Sequence, residues 1–370
     1  MMNEGRKRIC LIAPSLQMGG IERAMSTLAN YFVTQDYEIH YITLFPFEPF
    51  FELDKRIILH TPPYSFPRFG RNHFQTTTYY LKMLSPVFGH IFGQVKRIKP
   101  DAILCFGDVF PHLVMIQLSV LKIPIFYSNR SNPNIQYNSL INTIRSIAYT
   151  FAPPAGVIAQ TKEAMLRKQK ILGSKVPIKI IPNPVRKIEP KEFEKENWIV
   201  SVGRLHLEKG FVRLMEAFSN IDEKGWKLVL AGGGKHEIEI KQKAIELGIA
   251  EKVVFLGKVS NIDDLLLKSK VFVLSSYAEG YPNALCEAMS AGLACISFDI
   301  VAGPKDIIAD GENGFLIPDN ELDALSEKMQ LLINKPEIRQ KLGNNAKNIA
   351  KTNSIELIGN HFLNFIFENK

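Results

Sequence analysis

The sequence predicts an α/β protein made of two Rossmann-like, doubly wound parallel-sheet domains facing a central cleft. Three observations lead there. Short apolar runs recur along the whole chain, each of a length that suits a strand buried on both faces. Stretches with apolar residues at helical spacing separate them, as in β-α-β units. The pattern stops once, at a proline-punctuated and charged segment, and then starts again.

In the first half, RICLIAPS is a buried strand, followed by the pair Gly19-Gly20 and the amphipathic stretch IERAMSTLANYFV. YEIHYITLF is the next strand, and DAILCF, PIFYSN and GVIAQT follow, with room for helices between them. Residues 61–93 are rich in Pro, Phe and Tyr. They read as a loop leading into a basic, aromatic, amphipathic helix, LKMLSPVFGHIFGQVKRIK. The stretch 64–99 suits either a bilayer interface, with aromatics among headgroups and cations on phosphates, or an ordinary helix on the sheet.

The second half restarts after IPNPVRKIEPKEFEKEN, which reads as a linker. NWIVSVGRL, WKLVLAGGG, KVVFLGKV, VFVLSSY, ACISFD and GFLIP are its strands. LMEAFSNI, EIEIKQKAIELGI, DDLLLKSK, NALCEAMSAG and GPKDIIADG are its helices, and SIELIGNHFLNFIFENK is a final amphipathic one. The expected domains are therefore 1–183 and 184–353, with a tail helix over 354–370. Ligands of doubly wound sheets bind outside the carboxyl ends of the strands, where loops and helix N-termini converge.

With 370 residues, 46% hydrophobic and 22% charged, the composition excludes a disordered or collagen-like chain. The four cysteines, Cys10, Cys105, Cys286 and Cys295, form no C-x-x-C pair, which argues against a disulfide scaffold or a structural zinc site and suits a reducing cytoplasm. No uninterrupted apolar stretch is long enough to span a membrane, and the opening apolar run reads as a first strand rather than a signal peptide. Charge is lopsided: residues 1–185 carry a net +11 and residues 186–370 a net −3. The first half thus expects an anionic partner, a membrane surface or phosphorylated lipid, unless its cations form a merely solvated face. No nucleic-acid-binding motif accompanies the charge.

Chemistry concentrates in the second half. In VGRLHLEKG, Arg204 and Lys209 flank a strand-end loop, a forked donor and a point charge that together can hold a diphosphate without metal. In YAEGYPNALCEAMSAG, Glu279 and Glu287 stand in an E-x7-E spacing, with Glu279 in the loop and Glu287 about one turn into the next helix. Backbone amides from Tyr281 through Pro282, Asn283 and Ala284 to Leu285 would open at that helix's N-terminus, ready for an anion or sugar hydroxyls. A carboxylate at Glu287 would suit vicinal ribose hydroxyls, although it also suits the helix dipole. AGGG, with Gly232 and Gly233, follows a strand as phosphate- or ribose-approaching loops do, but it is no dinucleotide fingerprint. Gly19 and Gly20 would let backbone approach a ligand and leave the first helix's N-terminus bare. No D-x-D-like pair stands at a strand end, and Asp263-Asp264 reads as N-terminal capping.

Together GGIER, IPNPV, VGRLHLEKG, LAGGG, FLGKV, EGYPNALCEAMSAG and ENGFLIP resemble the family 4 retaining glycosyltransferases, which adopt the GT-B fold. The resemblance spans the chain and is densest after residue 183. It implies that Arg204 and Lys209 hold the donor's diphosphate, that Glu287 bonds its ribose, and that Glu279 with the amides of 281–285 holds the transferred sugar. Lys258 and Val259 would meet the nucleobase through their backbone. Gly20 would approach the diphosphate or acceptor, and the tail helix would cross back onto the first domain. Where many members place a histidine after the strand PIFYSN, this chain has Asn129 and Arg130; His112 is a weak substitute. The implied activity is retaining, metal-independent transfer of a hexose or N-acetylhexosamine from a nucleotide sugar, UDP by default, with no cofactor. The implied acceptor is a glycan on polyprenyl diphosphate or a related lipid, reached by peripheral binding at the inner face of the cytoplasmic membrane. A nucleotide-sugar 2-epimerase, a phosphorylase, or a non-catalytic nucleotide-sugar-binding protein are the alternative readings.

Overall fold

The computed structural model describes residues 5–17, 19–46, 48–64, 73–107, 109–130 and 132–368, with backbone alone for 73–84. The chain divides into two compact units: residues 1–184 with 355–370, and residues 185–354.

In the first unit the order is β1 (Arg8–Ala13), α1 (Gly20–Thr34), β2 (Glu38–Thr43), β3 (Ile58–His60), α2 (His73–Ile98), β4 (Ala102–Phe106), α3 (Phe110–Leu118), β5 (Ile125–Ser128), α4 (Ser139–Phe151), β6 (Gly156–Ala159), α5 (Lys162–Leu172) and β7 (Ile178–Ile180). Its sheet runs β3-β2-β1-β4-β5-β6-β7, all parallel. The strands have apolar side chains on both faces, as parallel strands under helices must. Alternate residues therefore feed two cores: Ile9 and Leu11 pack with α1 on one side, Cys10 and Ile12 with α2 and α3 on the other. Asn138 and Thr161 start α4 and α5 by accepting from the N–H groups of Ile141 (2.9 Å) and Ala164 (3.2 Å). Within α2, Ile91, Val95 and Ile98 are buried in the sheet-side core, so its described side chains behave as an ordinary covering helix. Residues 65–72 of the expected interfacial stretch lie outside the described residues.

The second unit runs β8 (Trp198–Val202), α6 (Phe211–Ser219), β9 (Lys227–Ala231), α7 (Glu237–Glu246), β10 (Val253–Gly257), α8 (Ile262–Lys268), β11 (Val271–Leu274), α9 (Asn283–Ser290), β12 (Ala294–Asp299), α10 (Pro304–Ile307), β13 (Phe315–Pro318), α11 (Leu322–Asn334), α12 (Pro336–Ala346) and α13 (Ile349–Thr352). Its parallel sheet has the order β10-β9-β8-β11-β12-β13. Ile199 and Leu228 face the core under α6 and α11, while Val200 and Val229 face that under α8 and α9.

The last helix, α14 (Ile355–Phe367), returns to the first unit. Phe362 meets Phe106, Phe365 meets Phe126, and the Tyr31 hydroxyl donates to Asn360 Oδ1 at 2.9 Å. A side chain at Gly359 would overlap the Tyr31 ring, so only glycine lets the two helices come this close.

Two sequence expectations are corrected here. The charged stretch after Asn183 is not a free linker, because from Val185 onward it is strapped onto the second unit. Arg186 forms a two-pronged ion pair with Asp263, Lys191 Nζ lies 2.6 Å from Asp264, and Ser290 Oγ both donates to the Arg186 carbonyl and accepts from the Ile188 N–H. Asp263 and Asp264 therefore do not cap α8. Asn261 does, its side chain accepting from the Asp264 N–H at 3.3 Å.

Candidate functional site

The second sheet reverses its winding between β8 and β11. Connections leave on opposite faces at such a point, which opens a crevice at the strands' carboxyl ends. The loops after those strands, 203–210 and 275–282, hold Arg204, Lys209 and Glu279, and Glu287 follows in α9.

Between β8 and β11 the ladder is only two pairs long, Ile199–Val271 and Val200–Phe272. Beyond it the two loops are fastened to each other. Ser275 Oγ donates to the Lys209 carbonyl at 3.0 Å and the Tyr277 N–H donates to the Glu208 carbonyl at 2.9 Å. Gly210 makes the approach feasible: it ends the short turn Leu207–Lys209 at φ 65°, and a Cβ there would sit 1.9 Å from the Ser275 carbonyl oxygen.

Arg213, buried in α6, is the centre of this fastening. Its Nε donates to the Ser275 carbonyl (2.6 Å), Nη2 to the Ser276 carbonyl (2.5 Å), and Nη1 to Asp319 (2.8 Å) and Asn320 (3.1 Å). The guanidinium lies between the Tyr277 and Phe298 rings, 4.0 and 3.9 Å from their centres. Sequence reasoning missed Arg213. The available signal was an arginine in a short helix whose neighbours are nearly all apolar, since a buried guanidinium must be paired.

On this frame Lys209 Nζ lies 2.7 Å from Glu279 Oε1, and Ser276 Oγ donates to the same oxygen at 2.6 Å. The two charged side chains are 19% and 13% exposed, so the pair is shielded yet reachable. Arg204 is different: 76% exposed, it pairs with Glu208 at 3.0 Å and, among the described residues, with no other carboxylate. The structure thus brings Lys209 and Glu279 into contact and leaves Arg204 at the rim.

Pro282 precedes α9 and offers no side-chain cap. Helix geometry leaves the first-turn N–H groups without intrahelical acceptors, so those of Ala284 and Leu285 face outward. The expected row of amides from Tyr281 to Leu285 is shorter than that. Pro282 has no N–H, and that of Asn283 donates to the Tyr281 carbonyl at 3.0 Å. The Tyr281 hydroxyl, whose pKa burial raises well above the usual tyrosine value, accepts from Asn353. Glu287 lies one turn into α9, half-buried.

Gly232 and Gly233 have a packing duty. Gly232 sits at φ 143°, and a Cβ on it would lie 1.8 Å from the Gly203 carbonyl oxygen; its N–H donates to the Gly257 carbonyl at 2.7 Å. Gly233 borders the Lys258 stem, and its carbonyl accepts from the Leu205 N–H at 3.2 Å. Lys258 is exposed after β10, and Val259 is half-buried against the core beside β8. His206 and His236 meet edge to face at 4.6 Å, where the loops after β8 and β9 touch.

The first-unit expectations need correction. The N-terminus of α1 is not bare. Glu22 folds back so that its carboxylate fills the space a Gly19 side chain would occupy, and Ser15 Oγ donates to it at 3.3 Å. Gly20 opens α1 beside it. His112 is fully buried, with Nε2 2.7 Å from the Tyr149 hydroxyl, Nδ1 3.3 Å from the Val109 carbonyl, and edge-to-face contacts with Tyr127 and Tyr149. It is a core residue. Arg130 is likewise buried, its guanidinium 3.9 Å from the Phe106 ring centre and hydrogen-bonded to Asn183, which also accepts from Gln160 at 2.7 Å. Asn129 borders a small recess with Asn132, Arg145 and Lys168. Among the described residues no group of three or more His, Cys, Asp or Glu is placed to hold a metal ion, and no helix is long and apolar enough to cross a membrane.

Comparison with known proteins gives this geometry a context. Residues 185–349, nearly all of the second unit, match the family described as glycosyl transferases group 1. The chain is 29% identical, over 98% of its length and 99% of the other's, to a Campylobacter jejuni protein named GalNAc-alpha-(1->4)-GalNAc-alpha-(1->3)-diNAcBac-PP-undecaprenol alpha-1,4-N-acetyl-D-galactosaminyltransferase. It is 23% identical to the amylovoran biosynthesis glycosyltransferase AmsD of Erwinia amylovora, over 90% of this chain and 92% of that one. Among solved structures, the lipopolysaccharide outer core galactosyltransferase WaaB superposes with a TM-score of 0.76 at 20% identity, and Anabaena Alr3699/HepE in complex with UDP with 0.79 at 16%. Both matches cover 98% of this chain and 100% of the other, and they show the fold.

Proposed function

We propose that this chain, whose residues 185–349 match the glycosyl transferases group 1, moves a hexose or N-acetylhexosamine from a UDP-sugar to a lipid-linked glycan, with retention at the anomeric carbon. The observation that carries the reading is the shielded Lys209–Glu279 pair at the strand-order reversal, between the exposed Arg204 and the open N-terminus of α9. A diphosphate and a sugar need these two chemistries side by side: cations and amides for developing charge, a carboxylate for hydroxyls.

In the transfer, the bond from the anomeric carbon to the diphosphate oxygen breaks and one to the acceptor oxygen forms on the same face. The acceptor's proton passes to the departing phosphate oxygen, so no protein nucleophile takes part. Arg204, Lys209 and the α9 amides stabilise the charge that grows on the diphosphate, a role for which no metal is required. Glu279 holds the sugar hydroxyls, Glu287 the ribose, and the backbone of Lys258 and Val259 the base. Gly20 would approach the diphosphate or the acceptor from the first unit.

The acceptor class is supported by the undecaprenyl diphosphate named for the Campylobacter relative and by the excess of positive charge in the first half. A lipid-linked acceptor places the protein at the inner face of the cytoplasmic membrane, held peripherally.

The test is turnover against a panel of nucleotide sugars. Arg204→Ala and Lys209→Ala should each remove about 2–4 kcal/mol of transition-state stabilisation. Near-wild-type rates in both would overturn the assignment. Activity should survive EDTA, and loss that magnesium restores would contradict the metal-free role of the cations. Conversion of donor without any acceptor would point to an epimerase instead.

A further inference from the structure

We propose that Glu22, with the aromatic loop after β2, forms a subsite for an uncharged sugar of the acceptor glycan at the carboxyl end of the first sheet. The proposal rests on the sugar-transfer reading above. It names a place for the acceptor that His112 and Arg130, both buried, do not supply.

The rule that located the cations of the second unit applies equally to the first. Its strand order reverses between β1 and β4, and a crevice opens at the carboxyl ends of such strands. The loop after β1 borders that crevice, and the loop after β2 is fastened to it. The N–H groups of Leu44, Phe45 and Phe50 donate to the carbonyls of Ala13, Pro14 and Leu16 at 3.3, 3.0 and 2.9 Å. Three kinds of group meet at this corner. Glu22 lies over Gly19, with Ser15 Oγ donating to its carboxylate. Phe50 is 61% exposed, its ring edge to face with Phe51. The Tyr41 hydroxyl, on β2, is fully buried without a hydrogen-bond partner, and it lies near enough to Glu22 for that charge to add to the burial that raises its pKa.

The ligand's chemistry follows from these groups. A carboxylate only accepts hydrogen bonds, and a buried hydroxyl normally finds a partner. A sugar hydroxyl serves both, giving its proton to Glu22 and accepting that of Tyr41. The C–H face of a pyranose suits an exposed aromatic ring. A phosphate does not fit. Residues 1–185 carry a net +11, yet from Ile9 to Asp54 the sequence holds one Lys or Arg, Arg23, against six Asp or Glu. Glu22 and Glu48 are the acids beside this corner, and they repel a diphosphate or an acidic sugar.

The experiment is saturation-transfer NMR on the full chain in excess UDP. Methyl α-D-glucopyranoside and methyl α-D-N-acetylgalactosaminide are the neutral probes and methyl α-D-glucuronide the charged one. Wild type should give transfer to at least one neutral probe and none to the glucuronide. Glu22→Gln should weaken neutral binding about three- to tenfold, the difference between a hydrogen bond to a charged and to a neutral group. It should also admit the glucuronide, a gain that a merely structural role would not produce. Phe50→Ala, at an exposed position, should weaken neutral binding at wild-type melting temperature, which keeps the proposal refutable where Glu22→Gln is destabilised. UDP affinity by calorimetry should stay at the wild-type value in both variants. Absence of transfer to both neutral probes in wild type, wild-type transfer to the glucuronide, or undiminished transfer in either variant overturns the proposal. So does transfer that Glu279→Gln abolishes and Glu22→Gln spares, which would put the sugar at the donor side. Sugar binding with no UDP binding would leave this subsite standing and sink the functional reading instead.

Discussion

Replacing Arg213 by lysine tests whether the two loops of the site are held by one guanidinium. The charge remains, but a single ammonium cannot reach the Ser275 and Ser276 carbonyls and Asp319 together. At least one buried carbonyl then loses its donor, at about 1–3 kcal/mol. Losing the flat contact between Tyr277 and Phe298 adds about 1 kcal/mol. The expected loss is about 2–4 kcal/mol, confined to the second unit. The chain offers a selective probe: its two tryptophans, Trp198 and Trp226, both belong to that unit, so their fluorescence in a urea titration reports its unfolding alone. Ser275, which fastens the loop carrying Arg204 through the Lys209 carbonyl, hangs from the same guanidinium, so UDP affinity by calorimetry should fall about tenfold in parallel, about 1.4 kcal/mol. An unchanged urea midpoint together with unchanged UDP affinity would refute the argument. A lowered midpoint with unchanged affinity would make Arg213 a packing residue only.

Three further outcomes are expected. His112→Phe should cost about 1–2 kcal/mol of first-unit stability, because the bond between His112 Nε2 and the Tyr149 hydroxyl is lost from the core, with turnover of folded protein unchanged; a large drop in turnover at constant melting temperature would return His112 to the acceptor side. Burial, helped by the charges of His40, Arg97 and His90, lowers the pKa of His60 to about 4, so the unfolded chain takes up that proton first, and stability present above pH 6.5 is lost as pH falls toward 4. His60→Asn should flatten that decline in melting temperature, and an identical slope would assign the acid sensitivity elsewhere. Glu208→Gln should tighten UDP binding about two- to fivefold, the worth of an exposed ion pair that a diphosphate no longer has to displace from Arg204; weaker binding would mean that Glu208 orients Arg204 rather than competing for it.

Both sheets were legible because a strand buried on two faces writes itself as an apolar run, as in Ala102–Phe106 and Val271–Leu274. The edge strands β3 and β7 were not, since three residues of mixed exposure carry no period. The E-x7-E spacing and the Arg204/Lys209 loop could be read from the sequence, because each is local to one strand end. Their pairing was hidden. Lys209 and Glu279 are 70 positions apart, and their contact depends on Gly210, Ser275 and Arg213, which no spacing rule connects. Gly19-Gly20 and Asp263 misled for a related reason. The glycine pair reads as a bare helix start and Asp263 as a cap, while what stands at each place is set by what folds nearby, Glu22 with Ser15 in one case and the Arg186 strap in the other.

The cations of the site are both engaged, and unequally. Arg204 shares an exposed contact with Glu208, an interaction worth about 0–1 kcal/mol in water, so an incoming phosphate exchanges with it at little cost. Lys209 shares a shielded contact with Glu279, where separating the partners would strand a carboxylate. Lys209 is therefore free to turn to a phosphate only if something else meets Glu279. Sugar hydroxyls, donating to that carboxylate, are such a replacement, and Ser276 already supplies one donor of the same kind. A nucleoside diphosphate by itself satisfies Arg204 and the α9 amides but leaves the Lys209–Glu279 pair closed. The intact nucleotide sugar satisfies both partners at once. On the proposed function, donor recognition would thus be an exchange of ion pairs, in which the sugar releases the shielded lysine to the diphosphate.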